Sequence, residues 1–427
     1  MRSSKSSFSY LPAAFLVVLV LMGQSFAQFK EKIVYEFSES PDGSEPGASL
    51  VADAAGNLYG TTTIGGIQSS CCGTVFELSP PATAGGSWSE TVLYRFQGGS
   101  DGAGPHGTLM FDKLGNLYGT TTFGDDDAVG PTVFELSPPS APGVVWTKTT
   151  LFTFPGNQYV PTGKLVMDAA GNLYGTSESG GSHHAGIVFE LVAPKTAGAA
   201  WAERTLYNFH AFRGDGVGPR ADLLLRGGLL YGITEAGGAA NQGTVFSLAP
   251  KPGFWTETIL HSFTGNEGQT PAGGLIMDSA GNLFGAAQGT NTSLCDTSID
   301  CGAIYELSPP AVGGDPWQET TLFRFSSVNT GADPYAPLWH NAEGVLYGTT
   351  LYGGNGGPNM GTVFKLVPPA VAGGNWTEVV LHYFRGVPAG DGAQPSGALI
   401  WSNGAFYGTT LFGGNGNGTV FSLSFAH

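Results

Sequence analysis

A chain of 427 residues with 33 acidic against 17 basic side chains has a net charge of −16. That excludes the basic footprint of a nucleic-acid binder and disfavours anionic membrane surfaces, while attracting cations and basic partners. The length allows two or three ordinary domains, but internal repeats override that prior.

The chain opens with Arg2 and Lys5, an apolar run from Leu11 to Met22, and Ser25-Phe26-Ala27. This is the three-part order of a secretory signal peptide, so residues 1–27 are expected to be removed after Ala27. The apolar run is too short to span a bilayer comfortably, and no second one follows. Removing it takes away two basic residues and no acidic ones, bringing the net charge to −18. The expectation is a secreted or extracellular protein, the cell envelope included, with one domain over 28–427, no transmembrane anchor and a monomeric state.

Four elements then recur. The segment FKEKIVYEF at 29–37 places an aromatic eight residues before a Phe. The same spacing returns as Trp88/Phe96, Trp146/Phe154, Trp201/Phe209, Trp255/Phe263, Trp317/Phe325 and Trp376/Phe384. A Pro four residues before a Leu occurs in seven places, from Pro46/Leu50 and Pro105/Leu109 to Pro395/Leu399. GNLYGTT at 56–62 has seven versions ending with GAFYGTT at 404–410, and GTVFEL at 73–78 has seven ending with GTVFSL at 418–423. Each unit thus holds four short apolar segments separated by Gly, Pro, Asp and Asn, with no sustained helical period, which predicts four strands. In the second unit these fall around 109–112, 117–121, 132–136 and 149–154.

The order along the chain is one fourth strand, six complete sets, then three strands. This predicts an all-β, seven-bladed β-propeller with four antiparallel strands per blade. The N-terminal strand completes the last blade, and Phe37 is expected near Phe421. Closure removes the edge that strand 418–423 would otherwise expose. The first turn, Asp-x-x-Gly-Asn in four units such as 53–57, supplies too few oxygens for calcium and is read as a hairpin turn.

At these residues the chain resembles the bacterial choice-of-anchor tandem-repeat family named GloVer (Gloeo/Verruco repeat), whose repeat centres on N-x-x-Y-G-T-T-x-x-G-G followed by G-T-V-F. The resemblance covers nearly all of the chain after residue 27. It implies an extracellular setting rather than a reaction. Some relatives look anchored through a C-terminal sorting segment, whereas this chain stops at Phe425-Ala426-His427, so release is expected.

The loops entering the blades and those between second and third strands share one face, where ligands of propellers are sought. Four positions before the repeating Pro stand Asp42, Asp101, Asn157, Asp215, Glu267, Thr330 and Asp391. The five carboxylates Asp42, Asp101, Asp215, Glu267 and Asp391 are candidates for holding a cation or basic ligand around one mouth. Organising their own turns is the alternative, and the favoured one.

Asp125, Asp126 and Asp127, His106, and His183 with His184 depart from the repeat and are metal-ligand candidates against a background of solvated loop residues. No other cofactor is evident. Arg213, Arg220 and Arg226 form one basic concentration, interleaved with Asp215 and Asp222. The repeating Tyr series, from Tyr59 to Tyr407, is read as packing between blades, and Trp339 and Trp401 as core filling or a flat face toward the channel. Cys295 and Cys301 suit a local disulfide in an oxidising compartment, and Cys71 with Cys72 a vicinal one.

No nucleophile elbow, zinc-protease motif or singled-out acid pair occurs. The expected role is an extracellular binding or scaffold module for carbohydrate, a cation or a protein surface. The alternative is an extracellular carbohydrate-active hydrolase or lyase with a metal-assisted site built from Asp101, Asp125 to Asp127 and the nearby histidines.

Overall fold

The computed structural model describes residues 29–38, 40–67, 71–83, 85–124, 129–141, 144–196, 198–212, 214–265, 267–289, 301–312, 314–325, 330–354, 360–371 and 373–425. They form seven antiparallel sheets of four or five strands, one per repeat, and a small pairing of 216–217 with 236–237. The second blade consists of Met110–Phe111, Leu117–Thr120, Thr132–Ser137 and Thr147–Thr153. The innermost strand is shorter than its apolar segment, and Leu109 just before it packs in a core cluster without belonging to the strand. No helix of the described residues is long and apolar enough to cross a membrane.

The ring closes as the split repeat predicts. Phe29–Glu36 pairs antiparallel with Thr419–Phe425, and Phe29 faces Phe425. Phe37 departs from its expected place: Ile33 lies opposite Phe421, and the Phe37 amide bonds the Gly418 carbonyl at 3.1 Å. The reason is the direction of pairing, which sets the end of the outer strand against the start of the third strand. Phe37 then turns onto Phe76 of the first blade at 5.0 Å, while Phe421 receives Phe384 of the sixth at 5.1 Å. This edge-on contact recurs at all seven junctions, through Phe96–Phe134, Phe154–Phe189, Phe209–Phe246, Phe263–Tyr305 and Phe325–Phe364. Each such pair adds about 0.5–1.5 kcal/mol beyond burial, so the repeating Phe holds blade to blade rather than strand to strand.

The Gly of the Tyr-Gly-Thr string sits on the third-strand ring. A Cβ at Gly60 or Gly119 would overlap Phe76 or Phe134. Only a bare backbone leaves room for that ring. The repeating Tyr59, Tyr118 and Tyr174 are buried, and their hydroxyls bond Asp53, Asp112 and Asp168. Each of those Asp residues also accepts from two backbone amides and the Asn side chain of its turn. Their oxygens are occupied by the hairpin, as the turn reading requires.

Candidate functional site

Two rings of side chains lie on the face bearing the blade-entry loops. The outer ring contains the five predicted carboxylates. Asp42 accepts from Tyr35 Oη at 2.7 Å and from the Ser38 hydroxyl and amide. Asp101 accepts from Tyr94 Oη and Lys148 Nζ, each at 2.8 Å, and from the Gln97 amide. Asp215 accepts from the His210 amide, with Tyr207 Oη 3.2 Å away. Glu267 accepts from the Thr264 amide and hydroxyl beside His261, and Asp391 from the Arg385 and Gly392 amides beside His382. Each acid therefore caps its own loop against the outer strand of the preceding blade.

The series follows a rule. Where the outer strand offers Tyr or His two residues before its Phe, the loop carries an acid; where it offers Phe152 or Phe323, the loop carries Asn157 or Thr330. The acid accompanies a donor able to satisfy it. Opposite each stands the next blade's outer-strand residue, Glu90 for Asp42 and Glu257 for Asp215. Burial, reinforced by the neighbouring Asp, pushes Glu90 and Glu257 up to about 7, and burial does the same to Glu378.

The inner ring is the channel mouth. Its cavity of about 70 Å³ is lined by the residue following the repeating Pro in all seven blades: Gly47, His106, Thr162, Arg220, Ala272, Tyr335 and Ser396. The next position is always small: Ala48, Gly107, Gly163, Ala221, Gly273, Ala336 and Gly397. A Cβ at Gly163 would strike the backbone of Ala221, and one at Gly397 that of Ala48. These small residues bring neighbouring blades together and aim the preceding side chain at the axis.

Arg220 dominates the mouth. It lies 3.0 Å from Glu235, 3.9 Å from Glu178, donates to Tyr335 Oη at 2.8 Å, and sits over the Tyr335 ring at 5.6 Å. Its charge is thus matched by two carboxylates. Burial and the Arg220 charge hold His106 below its ordinary pKa, leaving a neutral imidazole. Thr162 and Ser396 donate to the carbonyls of Arg220 and Gly47 in the next blade. Thr270, which lines the cavity before Pro271, has φ +49°. For a β-branched residue that is a strained conformation, which surrounding structure must hold in place.

Of the residues singled out in the sequence, His106, Arg220 and Asp222 reach the mouth, and the others do not converge on it. None of the five outer-ring acids lines it. His183 stacks on His210 at 4.0 Å, in a separate hollow with Asp215, Tyr207, Phe212 and Glu257, and His184 is exposed. Asp125, Asp126 and Asp127, Arg213 and Cys295 lie outside the described residues. Cys301 is buried and is not a free thiol, and the sulfurs of Cys71 and Cys72 are drawn together as a vicinal pair. Arg226 stands on the opposite face in the first turn. Trp339 and Trp401 pack on Phe406, at 5.2 and 4.7 Å, instead of lining the channel, and Trp401 stays 40% exposed. Arg220 and Tyr335 were overlooked as one site although the signal is present: a position flanked by repeating Pro and small residues that differs in every blade.

The family profile of the Gloeobacter/Verrucomicrobia repeat matches residues 132–311 and 292–427. The chain belongs to that repeat family. No curated protein matches it. Among solved structures it is similar to the Cps50 (Swd1) β-propeller domain of Myceliophteria thermophila, with 12% identity and a TM-score of 0.52 over 93% of this chain and 100% of that one. A calcium structure of a Trichoderma reesei carbohydrate-active enzyme of family AA12 shares 13% identity, with a TM-score of 0.42 over 93% and 96%. At these identities the likeness concerns the propeller fold alone.

Proposed function

We propose that this repeat-family propeller is a secreted binding module whose central mouth takes the end of an uncharged, polyhydroxylated ligand, such as the terminal unit of a glycan. The observation that carries the reading is the ring after the repeating Pro, where a position flanked in every blade by that Pro and a small residue holds seven different residues. A structural requirement shared by all blades would have produced a repeat there, as it does at the small residue beside it.

The chemistry of the mouth suits hydroxyl groups. Arg220 is already matched by Glu178 and Glu235, and His106 is neutral, so little uncompensated positive charge remains to select an anion. Tyr335, Gln288, Thr108 and the carboxylates offer mixed donors and acceptors around the cavity. Only the end of a ligand fits inside it, so the remainder would rest on the loops of the same face.

The test is a glycan binding screen on purified protein, followed by calorimetry and turnover assays on whatever binds. Saturable binding without product, lost in His106→Ala and Tyr335→Ala and retained in Asp101→Asn, is the expected result. Binding that survives both mouth substitutions, or product formation from the bound glycan, overturns the reading.

A further inference from the structure

The junction between the sixth and seventh blades differs from the other six in the groups it gathers. His382 comes from the outer strand of the sixth blade, Asp391 from the loop between the blades, and Glu31 from the closing N-terminal strand. One ligand atom from each lies within 4.8 Å of the others, and His382 Nε2 is 3.2 Å from Asp391 Oδ2. Among the described residues no other trio of His, Cys, Asp or Glu meets at this spacing.

Two further observations bear on a cation at this place. Glu31 Oε1 is buried and has no hydrogen-bond partner among the described residues, as at Glu90, Glu257 and Glu378 in the same repeat position, but only Glu31 has ligand atoms of both a His and an Asp within 4.8 Å to share a positive charge with. At the corresponding place between the first and second blades the outer strand carries Lys148 instead of Glu. Its ammonium lies 2.8 Å from Asp101 Oδ1 and 2.8 Å from the Asp101 carbonyl. The fold therefore has room for a cation between loop acid and neighbouring outer strand, and in one junction supplies it from a side chain.

We propose that Glu31, His382 and Asp391 form a divalent-cation site of the zinc class that fastens the closing strand to the sixth blade. One imidazole nitrogen and two carboxylates, with water in the fourth position, make a tetrahedral set of the kind zinc accepts. Calcium, which takes six to eight oxygens, is poorly served by three ligands that include a nitrogen. The ligands are held in place beforehand. The His382 ring packs edge-on against Phe384 at 4.8 Å, and Asp391 is oriented by the amides of Arg385 and Gly392. The junction between fourth and fifth blades holds His261 and Glu267 with Glu319 beyond them and does not gather three ligand atoms at this spacing.

The experiment is metal analysis of purified protein incubated with Zn²⁺ and desalted, with thermal melting in Zn²⁺, Ca²⁺ or chelator. Expected are about one equivalent of retained zinc and a melting temperature raised by Zn²⁺ and not by Ca²⁺. Glu31→Gln keeps the side-chain shape and Asp391's own bonds, so it should fold. It should weaken zinc binding by roughly tenfold or more, as should His382→Ala, whereas His261→Ala should leave it unchanged. No retained zinc, or zinc held equally by wild type and Glu31→Gln, overturns the site. Retention by the His183 and His210 hollow instead would appear as loss in His210→Ala and not in Glu31→Gln, and would overturn it equally.

Discussion

The outer ring of loop acids and the inner ring after the repeating Pro share a face, a seven-fold placement and mainly polar composition, yet they are built differently. In the outer ring the acid and its donor change together, so Asp42 has Tyr35, Asp101 has Tyr94, and Asn157 accompanies Phe152. In the inner ring the side chain varies while the Pro before it and the small residue after it recur. A carboxylate that looks like a ligand in a sequence can be fully engaged by its own loop, and the useful signal is variation at a position whose neighbours repeat.

Both rings depend on closure, and removing it is the strongest way to collapse the comparison. Deleting residues 28–36 exposes the whole edge of Thr419–Phe425. The expected outcome is aggregation in gel filtration and loss of the cooperative melt; an unchanged melting temperature would refute closure. Next in size, Asp101→Asn should destabilise the fold by about 1–3 kcal/mol, because it weakens three bonds and leaves Lys148, whose side chain is 5% exposed, without its counter-charge. Chemical denaturation measures it, and a change confined to ligand affinity would assign the outer ring to binding.

A smaller effect concerns pH. Glu378 is held at about 7 by burial, above the ordinary carboxyl value of 4.5, so the folded protein binds more protons than the unfolded chain between these values. Stability should fall as pH rises through that window, with the full contribution present below about 4.5. Glu378→Gln should flatten part of the slope in melting temperature against pH; an unaltered slope would remove Glu378 as a source. A modest stability change is expected at the mouth, where His106→Ala should shift unfolding by about 1 kcal/mol or less while abolishing ligand binding. A large destabilisation there would make the inner ring structural as well.

The blade count, strand order and closing strand were legible because each rests on short-range spacing: Trp or Phe to Phe, Pro to Leu, and the split repeat. The hairpin role of Asp53 and its counterparts was legible for the same reason. The stacking of Phe37 on Phe76 was not, since neighbouring-blade contacts depend on register and twist rather than on spacing within a unit. The position that Arg220 and Tyr335 share after the repeating Pro was visible, but the contacts that join them to each other and to Glu178 and Glu235 were not, because these residues are scattered over three blades. His382 and Asp391 belonged to visible repeats, but Glu31 reaches them only after the first strand joins the last sheet.

The pairing of Phe29 with Phe425 also gives the molecule a polarity. Both ends of the described chain emerge side by side beside Trp401, on the turn face, with the bore separating them from Arg220 and Tyr335. A surface, tag or neighbouring module joined directly at Phe29 or Phe425 would sit behind the disc, leaving the mouth pointing outward. For immobilised assays, coupling at these two positions is thus the orientation that leaves the mouth accessible, and coupling through the blade-entry loops the one that obstructs it.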